Sequence, residues 1–577
     1  PGSREASRAA ARTMRLWRRA TPTRRLRPLS SRGGDVGDGF GEAEEARGRV
    51  YSRGFPGEDY SFDQPPRPPQ SKTRQLNERI GACGTATHVL ALFEENMENF
   101  DVVNVAMSLR RIGVMSASYH SSTIAQLHQL LQRATLSMAY DAEEWGPREL
   151  ANAVWAVAKI RREPLDRRGG DVVEKDLFQK VAKVSVHKLG KFDPLELSKL
   201  TWSFSKAGYD SPALFRAVAF AVPQRILWFS PQELLSVVWS FWNAKVSAPL
   251  LFAAVALEAP NKLALFLSPM LVNLVWAYTK ADVPAPVLFD AVAAEAAKRV
   301  NEFEAHELVK LSWAYAKSNV AAPALFAALA EASVEKMAMF TSQELVKTVW
   351  AFTKAGISAP ALFQAVSLQS RKKICKFNAQ DLSSVVWSLS KSGIESRDLF
   401  GSVAAEAVKK METFNAQDLS NTVWAFTKAG VDSPDLFQAV SNASLRKMHQ
   451  FEPQALANTA WAFAKARVQA RVLFQAIEIE ASKKVGGFKA QELANVVWAF
   501  SRAGVAASSL FGSVAAVAPL KIQKFNAQNL ANMVWAFASA GVEAPHLFEA
   551  VAQESISKIQ KFNAQELANT AWAFAKA

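Results

Sequence analysis

A tryptophan recurs along the chain at a fixed interval and carries polar neighbours with it. It occurs every 37 residues in eleven copies, and a twelfth copy, Trp155, lies 47 residues before the first of them. The eleven evenly spaced copies are Trp202, Trp239, Trp276, Trp313, Trp350, Trp387, Trp424, Trp461, Trp498, Trp535 and Trp572. We name each repeat by its tryptophan and number positions from it, so that −3 precedes and +4 follows the ring.

Two of these numbered positions have side chains suited to binding a nucleic acid. Position +4 is basic in ten of the twelve copies, which are Lys159, Lys206, Lys280, Lys317, Lys354, Lys391, Lys428, Lys465, Arg502 and Lys576. Position −3 varies among Asn, Lys and Ser, and its candidate readers are Asn273, Lys310, Lys347, Asn421, Asn458, Asn495, Asn532 and Asn569. A cation can neutralise a phosphate, and an amide or ammonium group can hydrogen-bond to the edge of a base. These residues are the candidate nucleic-acid-binding set.

Both rows also have an explanation that needs no ligand. An exposed polar position can vary among Asn, Ser and Lys without consequence, and a cation in the last turn of a helix is stabilised by the helix dipole. A second basic row, unbroken from Arg225 to Lys558, lies at +23 and has the same explanation. Because +4 and +23 would end two antiparallel helices, we expect the two rows on opposite edges. We favour +4 for binding because it shares a helix stripe with −3.

The local signals predict a pair of helices in each repeat. In the Trp424 repeat, Asn415 is a suitable N-cap, Asp418 falls at N3, and Gly430 would end the first helix, helix A. Pro434 would begin helix B. A single helix pair buries too little apolar surface to be stable, so neighbouring pairs must stack. The predicted fold is all-α, an α-solenoid of about twelve 37-residue helix-turn-helix repeats with a divergent N-terminal cap.

Aromatic residues supply the predicted core of the solenoid. Phenylalanine precedes each tryptophan by ten residues from Phe192 to Phe562 and follows it by thirteen from Phe215 to Phe548. A repeated tryptophan is most simply a core residue, since burying it removes a large apolar surface from water. The alternative is a row of platforms on which bases stack.

Changes in amino-acid composition along the chain predict four segments. Residues 1–33 hold ten Arg and one acid, carry +9 of the net charge of +15, and have the composition of an organellar transit peptide. A disordered basic tail that binds RNA directly is the alternative. Residues 34–72 read as a disordered linker, 73–143 as the cap and 144–577 as the solenoid, with ten extra residues at Ile160–Gly169 lengthening a surface loop. Ala577 falls inside helix A of a repeat, so we expect the natural protein to continue past it.

Several classes of function are disfavoured by what the sequence lacks. Two distant cysteines, Cys83 and Cys375, cannot form a zinc site, and the seven histidines show no metal-ligand spacing. We find no P-loop, dinucleotide fingerprint or nucleophile elbow, and the acids that recur at −6, such as Glu233 and Glu344, are expected to cap helices. No apolar run approaches the roughly 18 residues of a membrane span. We expect no enzyme activity, no cofactor, no metal and no membrane contact.

The repeat motif resembles that of a known group of proteins. The segment FNAQELANTAWAFAKA at 562–577, with LFEAV at 547–551, resembles the heptatricopeptide and octotricopeptide repeats of organelles. It is also similar to the repeat regions of RAP-domain and FAST-kinase-like RNA proteins and of an RNA-editing substrate-binding complex subunit. The similarity covers residues 145–577, and NFDVVNVAMSLRRIG at 99–113 is similar to the divergent first unit of such proteins.

The resemblance implies a function in RNA metabolism. It predicts an organellar protein that binds single-stranded RNA and acts in transcript processing, stability, editing or translation, with other organellar RNA-processing or ribosomal proteins as possible partners. One base per repeat would give roughly a dozen unpaired nucleotides. The Arg-rich, Lys-free leader favours the mitochondrion over the chloroplast. The alternative is a helical scaffold that binds proteins and makes no direct contact with RNA.

Overall fold

The computed structural model describes residues 72–115, 121–160, 172–394 and 396–577. Every regular element within these ranges is a helix, as the 37-residue pattern predicts. The predicted transit peptide at 1–33, all but the last residue of the linker at 34–72, and nearly all of the lengthened loop at Ile160–Gly169 lie outside the described residues. The chain divides into two compact units, Pro1–Phe303 and Glu304–Ala577, each of which is a stack of helix pairs.

The first unit contains the N-terminal cap and four repeats. The cap helices are Lys72–Ala82, Ala86–Glu95, Val102–Met115 and Ser121–Tyr140. The helices of the repeats, in A and B order, are Pro147–Ile160, Val172–Lys188, Pro194–Ala207, Pro212–Arg225, Pro231–Asn243, Pro249–Glu258, Ser268–Ala281 and Pro286–Lys298.

The second unit contains the eight repeats from Trp313 to Trp572. Its helices in A and B order are Ala305–Ser318, Pro323–Glu335, Ser342–Ala355, Pro360–Lys372, Ala379–Lys391, Arg397–Lys410, Ala416–Ala429, Pro434–Lys447, Pro453–Lys465, Arg471–Lys484, Ala490–Ala503, Ser508–Val517, Ala527–Ala540, Pro545–Ser557 and Ala564–Lys576. A short 3-10 turn follows each helix B, for example Met411–Thr413. Within each unit, helix A packs along the next helix A and helix B along the next helix B.

The predicted capping signals are present at both ends of helix A. In the Trp239 repeat, the Glu233 carboxylate accepts a hydrogen bond of 2.7 Å from the backbone N–H of the N-cap residue Ser230, and Thr341 and Glu344 form the same capping box. Position +6, just past helix A, adopts a left-handed backbone. It is glycine in six repeats, as at Gly430 (φ 64°), and elsewhere a larger residue such as Arg467 (φ 57°). The acids at −6 are helix caps, as the sequence predicts.

A buried pair of aromatic rings joins most repeats to the next; at the Trp387 repeat, position +2 is Leu389 instead of an aromatic residue. Phenylalanine at +13 contacts the aromatic ring at +2 of the following repeat edge to face, with centroids 5.0 Å apart for Phe215 and Phe241 and 5.1 Å for Phe437 and Phe463. Edge-to-face rings at this distance contribute about 0.5–1.5 kcal/mol beyond their buried area. Phenylalanine at −10 is also fully buried, as at Phe414. These three aromatic positions form the continuous core of each unit.

The basic row at +23 has a structural role more specific than the helix dipole. Lys447 donates hydrogen bonds from Nζ to the backbone oxygens of Glu412 and Phe414, each at 2.7 Å. This pattern recurs, with the −10 carbonyl as one acceptor, at Arg225, Lys262, Arg299, Lys373, Lys410, Lys484, Lys521 and Lys558. Each cation thus ties the end of helix B to the turn that precedes helix A of its repeat.

The N-terminal cap repeats the same construction with different residues. Helix Val102–Met115 begins with a reciprocal cap between Asp101 and Asn104 and packs along helix A of the Trp155 repeat. Gly113 makes that approach possible, since a Cβ at this position would lie 2.9 Å from the Ala156 Cα. The cap therefore continues the stack at its N-terminal end, in keeping with its prediction as a divergent unit.

Two lysines of the Trp424 repeat allow a matched test of the hydrogen bonds that the +23 side chain donates to backbone carbonyls. We expect Lys447→Met to destabilise the second unit by about 1–2 kcal/mol, because two carbonyls lose a charged donor. Lys428→Met should leave stability unchanged, since Lys428 is exposed and forms no ion pair or side-chain hydrogen bond with any described residue. Thermal unfolding and amide hydrogen exchange in Ala416–Ala429 measure the difference. Equal effects of the two substitutions would contradict this role for Lys447.

Candidate nucleic-acid interface

The two basic rows lie on opposite edges of the repeats, as the sequence predicts. The +23 side chains bind carbonyls that directly precede the N-cap of helix A, such as that of Phe414 before Asn415. The +4 side chains lie in the last turn of the same helix, where Lys428 precedes Gly430. A helix of 14 residues is about 21 Å long, so its length separates the rows.

Side chains at +4 are free of the contacts that occupy the +23 row. All are exposed except Lys159, which is half-buried. Within the described residues, no ion pair or hydrogen bond engages the side chains of Lys206, Lys317, Lys354, Lys391, Lys428, Lys465, Arg502 and Lys576. In the second unit the +4 row is therefore a line of seven exposed cations that form no ion pair or hydrogen bond with a described residue.

Asn243, one of the two non-basic residues at +4, has a structural contact instead. Its Nδ2 donates to the backbone oxygen and to the hydroxyl of Ser205, both at 2.9 Å. This position is therefore occupied by a bridge between two neighbouring helices A rather than by a free charge.

The tryptophans line the same face, which corrects their interpretation as core residues. Only Trp155 and Trp202 are buried; those from Trp239 to Trp535 are half-buried, and Trp572 is 44% exposed. The reason is their helical position, since the ring shares a stripe with −7, −3 and +4 and only its inner part reaches the neighbouring helix. The rings therefore contribute both to the packing of helices A and to the surface.

In part of the second unit, the tryptophan rings of successive repeats contact one another. The centroids of Trp387 and Trp424 are 6.4 Å apart, as are those of Trp424 and Trp461, and the rings are tilted by 35–37°. In the Trp387 repeat the +4 ammonium lies over its own tryptophan, with Lys391 Nζ 4.7 Å from the ring centroid. Cation and ring are therefore adjacent on one surface.

Position −3 joins this surface from the neighbouring repeat. Lys199, at −3 of the Trp202 repeat, lies with Nζ 6.0 Å from the ring centroid of Trp155 in the preceding repeat, although its side chain is buried. Lys310 and Lys347 are exposed, and the candidate asparagines are half-buried. The Trp155 ring thus lies between Lys199 and the +4 side chain of its own repeat, Lys159, whose Nζ is 5.9 Å from the ring centroid.

A fourth row was not among the predicted site residues. Position −7 is glutamine in most repeats, and Gln417 Nε2 donates a hydrogen bond of 2.8 Å to Asn421 Oδ1, one turn along helix A. Spacing alone places −7 on this stripe. The signal that identifies it is its residue type, because a recurring exposed glutamine offers both a donor and an acceptor.

The comparisons with known proteins identify a family. The family model of the RNA-editing substrate-binding complex 6 protein matches residues 264–460 and 440–576, together more than half of the chain. The chain belongs to this family. The matched region runs from the Trp276 repeat to the Trp572 repeat and includes the whole +4 row of the second unit. The predicted resemblance to such a subunit is thereby confirmed.

Other comparisons add no functional argument to the family membership. No curated protein matches the sequence significantly. A chain from a homology model of the full-length AP-3 complex in an intermediate open conformation aligns with 88% of this chain and 93% of its own length, at 9% identity and a TM-score of 0.27. A TM-score this low supports no conclusion.

Metal sites and membrane spans were also sought in the part of the chain that the structure describes. No group of His, Cys, Asp or Glu there is arranged to hold a metal ion. None of the described helices is both long enough and apolar enough to pass through a bilayer.

The pKa of an acidic helix-capping residue in this protein is shifted by burial. Burial raises the pKa of Asp418, and hydrogen bonds from the Ser383 hydroxyl (3.0 Å) and from the Asn415 backbone N–H oppose the rise only in part. Because the pKa is higher in the folded state than in the unfolded state, ionisation of Asp418 disfavours folding as pH rises through the folded-state pKa.

Removing this charge should reverse the effect. We expect Asp418→Asn to raise the thermal midpoint at neutral pH and the gain to shrink as pH falls below the folded-state pKa of Asp418. Asn529 occupies the equivalent position of the Trp535 repeat with the same capping contacts, so the fold accepts this residue. Thermal unfolding of both proteins between pH 3 and 7 tests this. A gain independent of pH would show that the charge is not its cause.

Proposed function

We propose that this protein binds single-stranded RNA along the face formed by −7, −3, tryptophan and +4, and that it acts in RNA processing. The observation that carries the proposal is the contrast between the two basic rows. Each +23 cation for which the contacts are described binds backbone carbonyls, whereas eight +4 cations form no ion pair or hydrogen bond with a described residue. Exposed cations without an internal role are well suited to neutralise phosphates.

The number of free cations sets the expected salt dependence. Seven +4 cations lie in the second unit, from Lys317 to Lys576. Each phosphate neutralised on a single strand contributes about −0.7 to the slope of log K against log salt, so full engagement of this row gives a slope of about −5. A scaffold that binds only protein would show no graded loss of RNA binding with salt.

Half-buried tryptophans support a single-stranded ligand. Bases stack on aromatic rings with little dependence on sequence, and only unpaired bases present a free face. The neighbouring −3 side chains can then hydrogen-bond to base edges. Phosphate neutralisation and stacking would provide affinity, while −3 would provide selectivity.

Family membership supports the wider assignment. The name of the family refers to a complex that binds RNA-editing substrates, so we propose that the chain assembles with other RNA-processing proteins. The Arg-rich segment 1–33 supports a mitochondrial location, with the chloroplast as the alternative. The proposed activity is binding, and we assign no reaction to these residues.

Charge reversal on the two edges of the second unit tests the proposed face. The first variant protein has glutamate at three +4 positions, in place of Lys354, Lys428 and Lys465. The second has glutamate at three −11 positions, in the turns before helix A, in place of the exposed Lys376, Lys524 and Lys561. Both proteins change by the same net charge. We expect the +4 protein to lose at least about tenfold in affinity for single-stranded RNA, and its salt slope to fall by about 2.

The −11 protein provides the control for net charge. We expect its affinity to fall by less than about threefold, because these lysines lie at the other end of helix A. Fluorescence anisotropy with a labelled mixed-sequence RNA at several salt concentrations measures both, and circular dichroism checks the fold. Equal losses in the two proteins would contradict the assignment of the face.

A further inference from the structure

The last five repeats present the same pair of polar side chains. Their residues at −7 and −3 are Gln417 and Asn421, Gln454 and Asn458, Gln491 and Asn495, Gln528 and Asn532, and Gln565 and Asn569. The seven repeats before them hold Arg148 and Asn152, Leu195 and Lys199, Gln232 and Ser236, Pro269 and Asn273, His306 and Lys310, Gln343 and Lys347, and Gln380 and Ser384. Neighbouring repeats therefore differ up to Trp387 and are identical from Trp424 onward.

Duplication of a repeat does not by itself account for this uniformity. At −6, a helix-capping position that is buried in the Trp424, Trp461, Trp498 and Trp535 repeats, the same five repeats hold Asp418, Ala455, Glu492, Asn529 and Glu566. The glutamines at −7 are exposed in all five, yet they do not vary. Exposed positions normally vary more freely than buried ones. The reverse pattern here is expected if the exposed glutamine and the half-buried asparagine beside it contact a ligand that is the same at each repeat.

Within one repeat the pair is organised by its own hydrogen bond. Gln417 Nε2 donates to Asn421 Oδ1 at 2.8 Å, which leaves the Asn421 amide N–H groups and the Gln417 carbonyl oxygen without a hydrogen bond to any described residue. The repeat therefore presents a donor beside an acceptor. An adjacent donor and acceptor is the pattern by which amide side chains recognise the edge of a base in a bidentate manner.

The tryptophan row separates the bases that these pairs would contact. No ring contact is described between Trp461 and Trp498 or between Trp498 and Trp535. In the two other intervals of these repeats, the ring centroids are 6.4 Å apart (Trp424 and Trp461) and 6.5 Å apart (Trp535 and Trp572). This is about twice the 3.4 Å rise per nucleotide of a stacked duplex strand. A strand that follows the row with one nucleotide per repeat is therefore unstacked, and each base can be contacted individually by one pair.

From these observations we infer that the five repeats from Trp424 to Trp572 recognise a homopolymeric tract, five successive nucleotides of single-stranded RNA with the same base. The inference rests on the proposed function and deepens it, because it names the class of RNA that this part of the face selects. The three repeats of the second unit that precede Trp424 contribute affinity through Lys317, Lys354 and Lys391 and contact a mixed sequence.

Oligoribonucleotides that differ only in one tract test the inference on the full chain. Four RNAs share one mixed-sequence segment and carry a five-nucleotide tract of A, U, C or G, in lithium buffer to prevent quadruplexes. We expect one tract to be bound at least about tenfold more tightly than the other three, because each bidentate amide contact discriminates between bases by roughly fivefold or more.

Outcomes of this measurement separate the inference from the proposed function. Binding of all four RNAs within about twofold, with a steep salt dependence, overturns the tract inference and leaves RNA binding intact. No salt-dependent binding of any RNA overturns both.

A serine substitution tests whether the asparagines provide the selectivity. Serine already occupies −3 at Ser236 and Ser384, so the fold accepts it there. We expect Asn458→Ser, Asn495→Ser and Asn532→Ser together to reduce the tract preference below about threefold, while affinity for the mixed-sequence segment stays within about threefold. Asn442→Ser is the control, because Asn442 is exposed on helix B, outside the proposed face, and also accepts a hydrogen bond from a glutamine four residues before it; it should keep the full preference. Full preference in the triple variant overturns the inference.

Discussion

The contact between the phenylalanine at +13 of one repeat and the aromatic ring at +2 of the next determines the rest of each unit. The two rings meet edge to face at 4.9–5.2 Å wherever the contact is described, as for Phe400 and Phe426 at 5.0 Å. Because the contact recurs with one geometry, successive helices A are held in one register. Residues at the same numbered position in successive repeats therefore lie next to one another, and their side chains form rows.

The two basic rows show that the same type of side chain has two roles in this fold. Lysines at +23 stabilise the repeats, whereas most lysines at +4 are exposed to solvent. At the end of helix B, carbonyls of the preceding turn lie within reach, and Lys410 binds two of them at 2.8 Å while its ammonium lies 2.8 Å from Glu406. That ammonium in turn lowers the pKa of Glu406 through a hydrogen bond. At the end of helix A the left-handed residue at +6 turns the chain away, and Lys428 extends into solvent without a partner.

Much of this arrangement could be predicted from the sequence because it depends on local signals. The helices, their N-caps, the acids at N3 and the opposite placement of the basic rows follow from residues within a few positions of one another. The +23 tie could not be predicted, because Lys447 and its acceptor Phe414 are 33 residues apart. Lys188 was missed for a related reason: the ten extra residues after Trp155 move it out of register, although it binds the carbonyl of Trp145 in the same way.

The tryptophan was predicted to be a core residue, but most copies are only half-buried. Periodicity shows that a residue is important to the repeat, but it does not show which side of helix A the residue faces. The residue at +2, which is fully buried, varies among Phe204, Tyr278 and Leu389 and so shows no single-residue pattern. The invariant tryptophan, by contrast, is only half-buried from Trp239 to Trp535 and lies on the same face of helix A as position +4. For the candidate site, the sequence located the rows at −3 and +4, and the structure added the ring between them and the glutamine at −7.

The central claim is that the ligand lies along the helix A face, and photocrosslinking tests it most directly. Ultraviolet irradiation of the protein with single-stranded RNA, followed by mass spectrometry of the crosslinked peptides, locates the bound strand residue by residue. We expect crosslinks within 417–428 and 454–465, where Trp424 and Trp461 lie next to Lys428 and Lys465. Crosslinks confined to the helices B or to the turns around Lys376 and Lys524 would contradict it.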